Sequence, residues 1–250
     1  MRTRGPSLQR PPKGEGFTII ELIVVLTIVA VLIVIQVPAM ARATNQNKRA
    51  QCASNLRQFT LAMHIYAGEN DDHLPTNSVG YWAYDVSSYI GTFVESTGSK
   101  WTVMYCPGRA PRFSDADNWA YYNYGPSYRV LGYANTFTGN PAVTATNINP
   151  MLTPVPNPVS FGLYVTPLAS QRVLLADTTI SAPGQNNPAL RYTYNFNNIQ
   201  GGFPKAECSA HLTAQFPAGG NLGMLDGHVE WRKFDNMTPR TDGSSPVFWW

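Results

Sequence analysis

From Leu22 to Ile35 the chain runs through fourteen residues of which only Thr27 is polar. With Phe17 to Glu21 ahead of it the segment reaches about 19 residues, roughly what a helix needs to cross a bilayer. β-Branched residues dominate the run (Ile23, Val24, Val25, Ile28, Val29, Val31, Ile33, Val34, Ile35), and no polar face recurs at helical spacing. A soluble amphipathic helix is not built this way. The run predicts a membrane helix, so a purely soluble fold would require its removal.

The residues just before the run bear on that question. Gly14 to Glu21 reads Gly-Glu-Gly-Phe-Thr-Ile-Ile-Glu. An export signal is ordinarily cut after its apolar stretch, at small residues. Here the Gly16-Phe17 junction precedes it, and cutting there would leave the whole apolar helix on a chain beginning at Phe17. Charge orients the segment. Arg2, Arg4, Arg10 and Lys13 stand against Glu15 alone, which accounts for the formal net charge of +3. That excess predicts a leader on the cytoplasmic side. The remainder is balanced, with no basic stripe, which argues against nucleic acid as a partner.

A carboxylate near the start of a membrane helix costs on the order of 2–3 kcal/mol unless it is paired or reaches the interface. Glu21 therefore has two readings. It snorkels into the headgroups, or it pairs with a new α-amino group created by cutting between Gly16 and Phe17, on a neighbouring subunit.

The segment Lys13 to Ile35 resembles the class III leader and N-terminal helix of type IV pilins and type II secretion pseudopilins. The resemblance implies cleavage after Gly16 by a membrane prepilin peptidase, N-methylation of Phe17, and engagement of a neighbour's amino terminus by Glu21 during assembly. Pro38 matches a proline common at the twenty-second mature position of these helices, where it would kink or locally melt the helix. Glu15, lying between Lys13-Gly14 and Gly16, departs from a plain Lys-Gly-Phe context. Two rival outcomes remain. Pro38-Ala39-Met40-Ala41 offers an Ala-x-Ala site whose use would release a soluble chain starting at Arg42; alternatively the helix stays as an uncut anchor.

Past the apolar run, Cys52, Leu56, Phe59, Met63 and Tyr66 recur every three or four residues, so the helix is expected to continue with one face on a core. Lys48, Arg49, Asn55 and Arg57 fall opposite. Gly68-Glu69-Asn70-Asp71-Asp72, with Pro75 beyond, ends the pattern. From about Leu74 onward, Pro, Gly, Asn, Ser and Thr punctuate short strand-like pieces: Arg172 to Ala176, Tyr192 to Phe196, Leu222 to Leu225 and His228 to Lys233. Asp226-Gly227 between the last two is a hairpin signal. Pro141 to Pro158, with five prolines, predicts a long surface loop. The expected fold class is α+β and pilin-like: a long N-terminal helix, its first half membrane-spanning, on a mainly antiparallel β head. The expected boundaries are leader 1–16, assembly helix 17–37, helix continuation 38–70 and head 71–250.

A narrower resemblance spans nearly the whole chain, to pseudopilin-like bacterial proteins of the prepilin-type processing-associated group with a His-x9-Asp-Gly motif. Its landmarks are Cys52-Ala-Ser-Asn-Leu56-Arg-Gln, Tyr66 through Pro75, Trp82, Cys106-Pro107, Val173-Leu-Leu-Ala-Asp177, His211, Gly219-Gly-Asn221 and Asp226-Gly227-His228-Val229. Fourteen residues separate His211 from Asp226 instead of nine, which implies an insertion around Thr213 to Pro217.

Chemistry is sparse at the level of motif. Metal ligands at short spacing, such as His-x3-His, are missing, so His211, Asp226, His228 and Asp177 are assigned structural roles and no metal or other cofactor is expected. Asp115-Ala-Asp117 lacks the remaining ligands of a calcium loop. There is no Gly-x-Ser-x-Gly elbow, phosphate-binding glycine loop or paired carboxylate, and the chain reads as a non-enzyme. Three cysteines permit at most one internal disulfide; Cys52 with Cys106 is preferred because it staples helix to head, with Cys208 as the alternative partner. The expected function is a pseudopilin or minor pilin of a type II secretion or type IV pilus-like filament. Its partners would be the inner membrane, prepilin peptidase, other pilin subunits and assembly machinery; it would cross the inner membrane once and hold its head outside the cytoplasm. The second function class is a membrane-anchored or secreted binding module for carbohydrate or another exported ligand, on the strength of the aromatic residues Tyr121, Tyr122, Tyr124, Tyr192 and Tyr194.

Overall fold

The computed structural model describes residues 16–158, 162–201, 205–243 and 246–250, without the side chains at 35, 37–39, 41, 157 and 158. Leader residues 1–15 and the Pro38 side chain therefore lie outside the described residues. The chain divides into two compact units, one ending at Thr44 and one from Asn45 to Trp250.

One helix, α1 (Ile19–Glu69), enters both. Thr18 caps it. The Thr18 hydroxyl accepts from the Glu21 backbone N–H at 3.3 Å, and Glu21 Oε2 accepts from the Thr18 backbone N–H at 2.9 Å. This reciprocal pair is a capping box, which satisfies donors that a helix start leaves open. Thr27 hides its hydroxyl by donating to the Val24 carbonyl at 2.8 Å, so the one polar residue of the apolar run makes no demand on a neighbour. The large apolar side chains from Phe17 to Val34 are all exposed, from 44% at Val29 to 79% at Ile19. Among the described residues no helix is long and apolar enough to cross a membrane; the span expected from Phe17 to Ile35 ends on a side chain outside that set. The helical backbone continues through position 38.

In the second unit α1 turns one face inward. Cys52, Leu56, Phe59 and Met63 have no exposed surface, Ala62 and Ala67 join them, and Tyr66 is half-buried. The helix from Asn45 onward lies in the same compact unit as the rest of the head. The helix ends where expected, and Asp71 and Asp72 take positive φ of 51° and 66°, a conformation Asp tolerates better than most residues.

After α1 come β1 (Asp85–Ser87), α2 (Ser88–Ser96), α3 (Asp115–Tyr122), β2 (Tyr128–Val130), β3 (Tyr133–Asn135), β4 (Asn157–Pro158), β5 (Tyr164–Val165), β6 (Val173–Asp177), β7 (Ile180–Ser181), β8 (Leu212–Thr213), β9 (Phe216–Pro217), β10 (Gly219–Met224), β11 (Val229–Lys233) and β12 (Val247–Phe248). The central sheet has order β11-β10-β6-β3 and is antiparallel throughout. Gly223 lets the helix approach it: a Cβ there would lie 2.5 Å from Thr60 Oγ1 of α1. The architecture is α+β with antiparallel pairing, as expected.

One expectation fails. Tyr192 to Phe196 is no strand; Pro188–Thr193 forms a 3-10 helix instead, whose start is capped by the Asn187 side chain accepting from the Ala189 N–H. Aromatic alternation misled because Pro188 presets a helical φ at that start. The segment 141–158 is a mostly irregular loop, at least partly exposed over most of its length and tied down at a few points: Val143, Asn149 and Met151 bridge to Thr241, Phe137 and His73, and buried Asn149 donates to Thr136 Oγ1 and the Val173 carbonyl.

Candidate functional site

Four side chains of ligand type converge inside the head. Cys52, Cys106, Asp177 and His211 are all buried, with their sulfur, oxygen and nitrogen atoms within 4.8 Å of one another. Each arrives from a different place. Cys52 sits on the inward stripe of α1, and Asp177 ends β6, where register sets it beside Tyr133. Cys106 precedes the 3-10 turn Pro107–Arg109, its sulfur accepting from the Gly108 N–H at 3.2 Å. His211 stands just before β8.

The contacts are dense. Cys52 Sγ lies 3.2 and 3.1 Å from the two Asp177 oxygens and 3.6 Å from the Tyr133 hydroxyl. His211 Nε2 is 3.2 Å from Asp177 Oδ2 and 3.3 Å from Cys106 Sγ. The Asn221 backbone N–H donates to Asp177 Oδ2 at 2.9 Å, while the Asn221 amide donates to the Arg49 carbonyl of α1 at 3.1 Å. Glycines make the space. A Cβ on Gly108 would fall 2.6 Å from the His211 ring, and one on Gly220 would fall 2.9 Å from Asp177 Cβ. His211 itself takes φ +51°, an uncommon state for a non-glycine residue, and its ring packs edge-on against Trp231 at 5.2 Å.

Burial favours neutral groups here, and pairing opposes it. Burial raises the Cys106 thiol well above its ordinary value. For Asp177 burial acts upward, but the His211 charge and the bonds from His211, Cys106 and Asn221 outweigh it and hold the carboxyl below its usual range. His211 mirrors this: burial acts downward, yet Asp177 raises it to about 9.

All three cysteines are free and buried. The expected Cys52–Cys106 bond is not formed, although the structure does bring the two sulfurs together; Cys208 lies outside the cluster. His211 and Asp177, expected to play separate structural roles, meet in it. Asp226, expected to share a motif with His211, does not. Asp226 and Gly227 form the β10–β11 turn, with Gly227 at φ +89° and Asp226 Oδ1 2.5 Å from His228 Nδ1. The segment around Thr213 to Pro217, where an insertion is expected, forms the small β8–β9 hairpin.

Two other features remain. Gly16 and Phe17 precede α1, and Glu21 is engaged by Thr18 rather than standing unpaired. On the head, Tyr81, Trp82, Tyr84, Asp85, Tyr124 and Tyr128 surround an open cavity of about 250 Å³. Tyr121 and Tyr122, by contrast, are buried, and Tyr192 and Tyr194 pack around Phe216, Phe234 and Trp249.

Comparison with known proteins adds two matches. Residues 46–108 match a family described as "Protein of unknown function (DUF1559)". The type IV major pilin protein PilA of Myxococcus xanthus (strain DK1622) is 27% identical over 88 residues, covering 32% of this chain and 40% of that protein. The chain thus matches less than half the length of that pilin. No solved structure matches. By the second match the chain is similar to a type IV pilin over about a third of its length.

Proposed function

We propose that the chain is a (pseudo)pilin subunit that works by assembly rather than turnover. Trimmed after Gly16 by a prepilin peptidase, it begins at Phe17, resides in the inner membrane through the apolar half of α1 with its head outside the cytoplasm, and enters a type II secretion or type IV pilus-like filament through that helix. The observation that carries this reading is the exposed apolar surface from Leu22 to Val34, interrupted only by Thr27, on a chain similar to a pilin. Contiguous apolar surface of this extent marks a face that another body covers. In a filament, Glu21 would set register against a neighbour's amino terminus.

Mass spectrometry of the mature amino terminus tests the route. Methylated Phe17 is the expected result; Arg42 at the start would point to a released soluble protein, and Met1 to an uncut anchor. Glu21→Ala should insert and be trimmed yet fail to incorporate, and normal incorporation would remove the charge pairing.

A second reading has one observation in its favour, the aromatic cavity with Tyr81 80% exposed at its rim. Exposed rings around an acidic residue are suited to stacking on sugars. A glycan array probed with the full chain in detergent decides it, uniform silence counting against carbohydrate binding.

A further inference from the structure

We propose that Cys52, Cys106, Asp177 and His211 form a closed, structural site for a divalent zinc ion. Two sulfurs, one imidazole nitrogen and one carboxylate oxygen are a donor set that zinc accepts, and four protein ligands fill a tetrahedron without leaving a position for substrate. Their spacing fits. Zinc–ligand distances of about 2.0–2.3 Å place neighbouring ligand atoms roughly 3.3–3.8 Å apart. The cluster's contacts already stand at 3.1, 3.2 and 3.3 Å, with no pair of ligand atoms beyond 4.8 Å.

The surroundings are those of ligands held from outside. Metal-bound sulfurs and carboxylates are steadied by outer hydrogen bonds. Here Gly108 N–H serves Cys106 Sγ, and Asn221 N–H serves Asp177 Oδ2. His211 reaches the cluster with Nε2 from a left-handed backbone conformation, its ring seated where Gly108 lacks a Cβ. Strain of that kind persists where surrounding structure and function over-determine it. A softer choice such as copper(I) would favour more sulfur, and calcium or magnesium would favour oxygen alone.

The ion would tie α1, the Cys106 turn, the end of β6 and the segment leading to β8 at one point. Folding and metal binding would then be coupled, as at other structural zinc sites. This role holds whether or not the chain enters a filament.

The test uses the full chain purified in detergent, with zinc measured by elemental analysis and cobalt(II) exchanged in as a spectroscopic probe. About one zinc per chain is expected, with thiolate-to-cobalt charge-transfer absorption and the strong visible bands of a tetrahedral ion. Cys208→Ser should keep full metal content, whereas Cys52→Ser and Asp177→Asn should each lower metal affinity at least about tenfold. Should the ligand variants not fold, the wild-type cobalt spectrum still decides. A chain that takes up neither metal, a cobalt spectrum without thiolate bands, ligand variants that fold and keep full affinity, or a Cys52–Cys106 disulfide mapped in the native protein would each overturn the site.

Discussion

The two halves of α1 are equally helical and differ in what they meet. Before Thr44, Leu22, Leu26, Leu32 and their neighbours expose about half of their surface or more; after Asn45, Leu56, Phe59 and Met63 expose none. The sequence differs in the same place. The first half is apolar all round from Leu22 to Val34, while the second gathers Cys52, Leu56, Phe59 and Met63 on one buried stripe, leaving Leu61 and Ile65 exposed, and sets Lys48, Arg49 and Arg57 elsewhere. A stripe can be covered by one sheet within the chain; an apolar cylinder has to be covered by lipid or by other helices. Fold stability is therefore concentrated in the second half and assembly, on the proposed reading, in the first.

The sharpest way to break the comparison is to truncate one residue in each half. Phe59→Ala should destabilise the head by about 3–5 kcal/mol, the usual cost of emptying a buried aromatic site. Leu26→Ala should leave head stability within about 0.5 kcal/mol yet impair incorporation. All six tryptophans lie beyond residue 80, so denaturant unfolding in detergent followed by tryptophan fluorescence reports on the head alone. Equal shifts for the two variants would end the division of labour.

Charges divide the same way. Glu207 is buried against the Arg109 guanidinium, which also lies 3.9 Å from the Phe113 ring centre, whereas Glu21 is exposed. Removing one partner of a buried pair leaves the other uncompensated. Glu207→Gln should therefore cost about 3–5 kcal/mol, measured by the same unfolding assay. A cost below that of an ordinary surface substitution would mean that Arg109 finds another partner.

Asp85 is a third case, a buried carboxylate held by backbone N–H groups of Tyr81 and Trp82 at 2.7 and 3.0 Å. Burial raises it from an ordinary 3.8 to about 6, against the pull of those bonds. The native state thus binds the proton more tightly than the unfolded chain. Its contribution is fully present below about pH 3.8 and lost as pH rises through about 6, a change on the order of 2–3 kcal/mol. Asp85→Asn should flatten that part of the stability profile, because an amide oxygen can still accept both N–H groups. An unchanged slope would assign the pH dependence elsewhere.

Periodicity made the stripe on α1 legible: Cys52, Leu56, Phe59 and Met63 were readable because helical burial repeats every three or four residues. The turn at Asp226-Gly227 was readable because a hairpin connection calls for positive φ, which Gly227 takes at +89°. The four-residue cluster was not. Its members lie as far apart as residues 52 and 211, and the spacing rules for metal ligands look for neighbours on one turn or hairpin. What the sequence did hold was indirect: Gly108 two residues after Cys106, and Gly219-Gly220-Asn221 where the sheet must make room for Asp177. Pro188 likewise outweighed the aromatic alternation after it, since a preset backbone angle acts locally and a side-chain pattern needs a partner strand.

The smallest expected effect separates two roles of one carboxylate. Glu21 Oε2 accepts from both the N–H and the hydroxyl of Thr18, at 2.9 and 2.6 Å, so a loss of assembly in Glu21→Ala could reflect a frayed helix start rather than a missing intersubunit pair. Thr18→Val removes the hydroxyl and leaves the acid. If the capping box is what matters, Thr18→Val and Glu21→Ala should fail alike, because each breaks the same reciprocal bonds. If Glu21 engages a neighbour's amino terminus, Thr18→Val should incorporate at close to the wild-type level, since freeing the carboxylate from its own helix leaves it available to the amine. The second outcome is expected. A frayed first turn within a long apolar helix is held by the helix beyond it, whereas nothing else near Phe17 in the described first turn carries a negative charge.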